Sequence, residues 1–265
     1  MKRAMGTAML CFGLAATAAA LAQDMMRYID LSSPEMTSAE MTRGDVETAL
    51  NKATGAAPAD FTGKRLSGLD LSGLNLSGAI LRAARLNKTK LAGARLDRAV
   101  LDQAWLVEAD LTGASLKGAT LFASQMPRAH LDGVDLSEAR VAADLTGASL
   151  VGASIANAHL GVDMRNQSMG LMRAVLKSAN LERVNARGAD MSRVDLEFAS
   201  LKGADLTGAS LKGADLGGAD LTGVTVVDTD FDGADLASAK LIAPIGLDKA
   251  KNFDTAKNRE RLIRR

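Results

Sequence analysis

An apolar residue, usually leucine, recurs at every fifth position through most of the chain. The first run begins at Phe61, continues through Leu66 and Leu71, and keeps the same spacing to Val141. Alanine is common two positions before each of these residues, and glycine is common two positions after it. This spacing matches neither the helix period nor the strand period, so the chain must turn once in every unit. Glycine at that position suits the third residue of a type II turn, where φ is positive.

Four such units predict a square coil of twenty residues, with leucine and alanine side chains pointing inward. Successive coils are expected to stack at about the spacing of strands in a sheet, ~4.8 Å. The interior is then dry, and the backbone groups of each coil pair with the coils above and below. The stretch from Ala204 to Leu221, which reads ADLTG-ASLKG-ADLGG-ADL, shows the unit most clearly.

These units resemble the pattern A-(D/N)-L-x-x of the pentapeptide-repeat proteins. The resemblance extends from Ala59 to Leu241 and implies an all-β fold, a right-handed quadrilateral parallel β-helix. It implies little about function, because one scaffold can serve unrelated tasks.

The five-residue spacing is interrupted in two places. The inward residue after Val141 is Leu145, which is one residue early, and the spacing slips again within 161–170 before resuming at Leu171. One residue lost and one gained cancel, so the four faces are expected to stay aligned. A tight corner near residues 142–144 and a small bulge or loop between Gly161 and Gly170 are predicted.

The remaining segments complete a prediction of four parts. Residues 1–22 have a basic start, an apolar run and a final Ala-Leu-Ala, which is the layout of a cleaved secretory signal peptide. Residues 23–58 contain a capping box at Thr42–Asp45 and a short amphipathic helix, expected to cover the first coil of a solenoid at 59–243. Residues 244–265 form a C-terminal cap, and their basic end is expected to be a frayed tail.

Composition narrows the choice of compartment and partner. The chain has 32 basic and 31 acidic residues, so no polyanionic partner is indicated, and nucleic acid is not expected. The single cysteine, Cys11, lies within the predicted signal peptide, so the mature chain has no thiol chemistry. After cleavage we expect a periplasmic or secreted protein without stable insertion in a membrane.

Residues that depart from the repeat at outward positions are the candidates for a binding surface. Scattered exposed apolar side chains are normal, but a cluster can mark an interface. The candidate protein-interaction patch comprises Ile80, Val100, Trp105, Val107 and Phe122. Its occupant is predicted to be an unknown protein or a second copy of the chain, and cover by residues 25–31 is an alternative.

Basic residues concentrate in the first two coils. An arginine is expected to stack on the single indole, Trp105, because residues twenty apart form columns on the surface. The candidate basic patch comprises Arg65, Arg82, Arg85, Lys88, Lys90, Arg95 and Arg98.

The sequence contains no catalytic or cofactor-binding motif that can be distinguished from the repeat pattern itself. The sequence Asp228–Gly233 matches half of a calcium loop, but the twelfth position is Ala239 rather than glutamate, so no metal site is predicted. The histidines, His130 and His159, lack partners at metal-ligand spacing. No cofactor is expected.

Three functions remain, in order of preference. The first is a non-enzymatic secreted or periplasmic module that binds another protein on its rigid faces. The alternative follows from the resemblance, whose best-known members mimic DNA and act on DNA gyrase; this requires an acidic cytoplasmic rod. The third is an enzyme with a site at the interruption, built from His159, Asp163 and Arg165.

Overall fold

The chain winds into a square tube whose sides repeat every twenty residues. The structure is a computed structural model that describes residues 29–162 and 172–265. Each side contributes one parallel β-bridge to the coil above and one to the coil below, as in Arg65–Arg85 and Arg85–Trp105. The fold is the right-handed quadrilateral β-helix that the resemblance implies.

The four faces are named here by their bridge residues. Face 1 runs Asp60, Ile80, Val100, Thr120, Arg140, His159, Asp190, Ser210, Asp230, Lys251. Face 2 runs Arg65, Arg85, Trp105, Gln125, Asp144, Val175, Asp195, Asp215, Asp235, Lys257. Face 3 runs Asp70, Lys90, Asp110, His130, Ser149, Asn180, Ser200, Asp220, Lys240, Ile263. Face 4 runs Asn75, Arg95, Ser115, Asp135, Ser154, Asn185, Asp205, Thr225, Ile245. The predicted columns are therefore confirmed.

The regular corners of the described coils are tight turns with positive φ at their third residue. At one of them the Ala84 N–H donates to the Leu81 carbonyl at 3.1 Å, and Ala83 between them has φ of 51°. Glycine fills this position at many corners, as Gly113 does with φ of 64°. The turn points the leucine and the following alanine inward, where Leu81 and Ala84 are fully buried. Where threonine replaces alanine, as at Thr89, its hydroxyl donates to the Leu66 carbonyl at 2.9 Å.

The N-terminal end is closed by a helix, as predicted. Helix α1 spans Pro34–Thr37 and helix α2 spans Arg43–Lys52. Thr42 and Asp45 form the predicted capping box: the Asp45 N–H donates to the Thr42 hydroxyl, and the Thr42 N–H donates to the Asp45 carboxylate. Val46 of α2 is fully buried in the interior cluster of the coils. Among the residues described, no helix is long and apolar enough to cross a membrane.

The two interruptions differ from each other. Bridge partners from Gln125–Asp144 to Arg140–His159 are 19 residues apart, which confirms the predicted loss of one residue. The predicted gain of one residue is wrong: partners from Asp144–Val175 to His159–Asp190 are 31 residues apart instead of 20, a difference of 11. The Ala174 N–H donates to the Leu160 carbonyl at 2.9 Å, so the insertion leaves and re-enters at one corner and the faces stay aligned. Residues 163–171 of the predicted loop lie outside the described residues.

The basic C-terminus is not a frayed tail. Ile245, Lys251, Lys257 and Ile263 are six residues apart and form the last parallel bridges of the four faces. Single-turn 3₁₀ helices fill the corners at Leu247–Lys249, Phe253–Thr255 and Arg259–Arg261. Phe253 packs edge-on against Phe231 of the preceding coil, with ring centroids 5.4 Å apart. The tail is therefore a folded final coil with longer sides.

The positive φ at the corners predicts a reciprocal pair of stability changes. A Cβ added at Gly113 would contact nothing within 4 Å, so Gly113→Ala adds only backbone strain and should cost about 1 kcal/mol. Ala83→Gly should stabilise the fold by a similar amount, because its φ is already positive. Urea unfolding midpoints of both variants test the pair. Equal midpoints for wild type and Gly113→Ala would contradict this explanation of the corners.

Candidate functional site

Over the described residues, side chains fill the inside of the coils, so the outer surface is where a functional site is expected. Leucine, alanine and valine side chains fill the tube and form one continuous cluster of buried residues. A surface depression of about 570 Å³ lies at the corner after face 4, where Lys117 pairs with Glu138 at 3.2 Å. Its other lining residues are Ser77, Gly78, Arg95, Asp97, Arg98 and Gly118. This groove holds ion pairs between coils rather than a set of catalytic groups.

The predicted apolar patch is divided between two faces. Ile80 and Val100 are bridge partners on face 1, and Phe122 follows one coil below them. The Phe122 N–H donates to Asp102 at 3.1 Å, which fixes the backbone at this position. These three side chains are partly exposed, so they remain a candidate binding surface. Trp105 is partly exposed on face 2.

Val107 does not belong to an exposed patch, because it is only 5% exposed. Asn87 lies directly above it and accepts from the Val107 N–H at 2.9 Å, while the Asn87 amide donates to the Met36 carbonyl at 3.1 Å. Residues 29–41, called here the N-terminal strap, therefore pass over the outside of face 2. The sequence alternative was cover of the whole apolar patch by residues 25–31, of which 25–28 lie outside those described, whereas the residue that contacts Asn87 is Met36.

The predicted basic residues form a band around the rod rather than a patch on one face. Arg65 and Arg85 belong to face 2, Lys90 to face 3 and Arg95 to face 4, so they point in different directions. Most are paired with a carboxylate of a neighbouring coil, of the strap or, for Arg95, of the same coil. The pairs are Arg65–Glu40, Arg82–Asp102, Lys88–Glu108, Lys90–Asp70 and Arg95–Asp97. Exposed pairs of this kind contribute little stability, but they remove the excess charge that a polyanion would bind.

The predicted stacking of an arginine on Trp105 is wrong. Arg85 instead donates to the Gly63 carbonyl at 3.4 Å. Cation–π contacts do occur elsewhere in the described chain. Lys177 lies 5.8 Å from the ring centroid of Phe198, and Arg259 lies 5.7 Å from that of Phe253.

Sequence reasoning missed the most exposed large apolar residues of the described chain. Phe198 is 59% exposed, and Ile245 and Ile263 of the final coil are the others. Phe198 stands at a corner with φ of 59°, a conformation that is unusual for a bulky residue. The sequence did contain a sign of this exposure, because Phe198 occupies the corner position that Gly218 occupies twenty residues later, in the next coil.

The half-matched calcium loop uses its carboxylates for other contacts. Asp228 pairs with Lys251 at 3.6 Å and Asp230 with Lys212 at 3.2 Å. Asp232 accepts from the Thr255 hydroxyl at 2.9 Å. Within 29–162 and 172–265 no group of three metal-ligating side chains comes together. Of the residues suggested for an enzyme at the interruption, His159 is an exposed bridge residue of face 1, and Asp163 and Arg165 lie outside the described residues.

Aspartates of the repeat are fixed by local hydrogen bonds. The Asp110 carboxylate accepts from the Thr112 N–H at 3.0 Å, and the Thr112 hydroxyl and N–H together hold the pKa of Asp110 below its usual value. Ser72 lowers the pKa of Asp70 in the same way, and Thr62 that of Asp60. These bonds explain why aspartate or asparagine precedes the leucine, since Asn75 accepts equivalent bonds from Ser77.

Lowered pKa values predict acid sensitivity of the coils. Each aspartate makes its full contribution to the stability of the folded state at pH values above its pKa in the unfolded chain, about 3.9. This contribution is lost as the pH falls through the lower pKa that the aspartate has in the folded state. The melting temperature should therefore fall as pH drops below about 4. The triple variant Asp60→Asn, Asp70→Asn, Asp110→Asn keeps acceptors that do not titrate, so its decline should be shallower. Identical pH profiles by circular dichroism would refute this role.

Comparisons with known proteins agree on one kind of repeat. The family model described as pentapeptide repeats matches eight copies, over residues 59–98, 94–121, 171–208 and 199–237. The structure of HetL, a pentapeptide repeat protein involved in heterocyst differentiation regulation from the cyanobacterium Nostoc, is similar at 28% identity. The match covers 84% of this chain and 95% of HetL, with a TM-score of 0.61.

Other solved structures match less closely. QnrB1, a plasmid-mediated fluoroquinolone resistance protein, is 19% identical over 71% of this chain and 92% of its own, with a TM-score of 0.35. A pentapeptide repeat protein from the cyanobacterium Cyanothece is 21% identical over 44% of this chain and 91% of its own, with a TM-score of 0.21. The comparison with curated proteins gives no match.

Proposed function

The chain belongs to the pentapeptide-repeat family, and we propose that it is an exported, non-enzymatic module that binds a protein partner on the outside of its coils. The filled interior carries this proposal. Leucine and alanine fill the described coils between Phe61 and Leu241, which leaves no enclosed space among these residues in which a substrate could be desolvated. What varies along the rod is its outer surface.

Face 1 of the second to fourth coils is the proposed contact surface. Ile80, Val100 and Phe122 present partly exposed apolar side chains at successive levels of a rigid backbone ladder. Arg82 and Asp102 pair at 3.8 Å beside them, which gives the apolar cluster a polar rim. An apolar centre with a polar rim is the usual anatomy of a protein interface. The gyrase alternative needs a continuous acidic surface. The first coils instead carry ion pairs, in which basic and acidic side chains alternate.

Loss of the face 1 side chains is expected to abolish partner recovery. The mature chain is immobilised and exposed to envelope proteins of its source, and recovery by wild type is compared with Val100→Ser plus Phe122→Ala. Phe198→Ala is the matched control, because it removes a more exposed phenylalanine from a corner three coils away from Phe122. Recovery that is unchanged in the double variant, or lost equally in the control, would contradict the assignment of face 1.

Export is proposed from the layout of residues 1–22, which lie outside the described part of the chain. Fractionation followed by N-terminal sequencing tests it. The expected result is a mature chain that begins at Gln23 and is found in the envelope or the medium. An uncleaved chain in the cytoplasm would contradict export and return attention to intracellular partners.

A further inference from the structure

We infer that face 2 of the first four coils is a second docking surface, made to receive an extended protein segment, and that the N-terminal strap is an internal ligand occupying it. The proposed function concerns face 1, so this surface goes beyond it. The segment that fits is one with a buried apolar side chain followed four residues later by a carboxylate, as Met36 and Glu40 are placed in the strap.

The strap pairs with the edge of the first coil as an added strand. Ala39 forms an antiparallel bridge with Leu66, and the Glu40 N–H donates to the Arg65 carbonyl at 2.9 Å. In every later coil the equivalent carbonyl accepts from the coil before it. The Glu40 carboxylate lies 3.5 Å from Lys64 Nζ and 3.7 Å from Arg65 Nε. Backbone pairing and one carboxylate therefore hold this end of the strap.

The other end of the strap covers the outer surface of face 2. The positions that follow its leucines are occupied by Ser67, Asn87 and Val107, and all three are buried. The equivalent residues on face 3, Ser72 and Thr112 among them, are partly or fully exposed. On the fourth coil Gln125 is also only 5% exposed, and its side-chain amide donates to the Ala123 carbonyl of the same coil at 3.3 Å. A row of buried outward residues on one face is the footprint of a bound segment.

The strap satisfies this footprint incompletely. Ser67 Oγ, Gln125 Oε1 and Arg65 Nε are buried and have no hydrogen-bond partner, and Ser67 and Gln125 are themselves more than nine-tenths buried. A buried polar atom without a partner costs about 1–3 kcal/mol. A segment with donors and acceptors aimed at these atoms would therefore bind face 2 more tightly than the strap does.

The strap is also held by few contacts of its own. Met36 is its single buried side chain among residues 29–41, and α1 is one turn long. Met36 lies outside the interior cluster, and within the strap only Met41, next to α2, packs against that cluster. Release of residues 29–40 would therefore leave the cluster intact. The array and the capping helix α2 can therefore persist while the strap is released.

Trp105 provides the test, because it is the single tryptophan of the chain and a bridge residue of face 2. Met36→Asp in the full chain places a charge in the buried site and should release the strap, shifting Trp105 emission to longer wavelength. Met36→Leu keeps the apolar contact and should leave the emission unchanged. Asn87→Ala, which removes the hydrogen bond to the Met36 carbonyl, is a milder second variant in case Met36→Asp fails to fold.

A synthetic peptide copying Asp30–Met41 is the probe for docking. The released variant should bind it at least about tenfold more tightly than wild type, because an internal ligand lowers apparent affinity by the fraction of open surface. Binding should restore the original emission, and a peptide with Glu40→Lys should bind weakly.

Two results would overturn the proposal. They are unchanged Trp105 emission in both Met36→Asp and Asn87→Ala, and equal peptide binding by wild type and the released variants. The face 1 pull-down is independent of both, so failure of one proposal does not decide the other.

Discussion

The corner turn is the constraint on which the rest of the structure depends. A regular turn closes with a hydrogen bond from an N–H to the carbonyl three residues earlier, and its third residue has positive φ, as at Gly113. This geometry directs leucine and alanine inward and brings residues twenty apart into register. Backbone ladders, aspartate hydrogen bonds and ion pairs between coils all follow from that register. A change of φ at one corner therefore disturbs several coils rather than a single loop.

Most of the array could be predicted from the sequence because the period determines which residues share a face. The columns on the four faces, the shortened corner before Leu145 and the capping box at Thr42 all rest on local spacing. The length of the insertion after Leu160 could not be measured in this way, since a gain of one residue and a gain of eleven leave the later leucines on the same five-residue spacing. The final coil was missed because its units are six residues long and place asparagine, at Asn252 and Asn258, in the left-handed corner.

The candidate surfaces were harder to predict, because their exposure depends on contacts distant in sequence. Val107 looks like an outward apolar residue of the repeat, yet it is buried beside Asn87, which bonds to Met36 of the strap about fifty residues earlier in the sequence. The basic residues are close in sequence, yet the square coil distributes them over several faces and pairs most of them with carboxylates. The surface features that are specific to this protein therefore lie where a segment outside the repeat, or an irregular unit, contacts the regular coils.

Hydrogen exchange of the full chain, followed by mass spectrometry, tests most directly the claim that a rigid array carries a separable strap. Amides of the coil ladder, such as Arg85 and Trp105, should exchange only by global unfolding, because each bonds to a neighbouring coil. Amides of residues 36–40 should exchange much faster, through local opening that leaves the ladder protected. Exchange of both groups at one common rate would show that strap and array form a single cooperative unit, and would contradict the account.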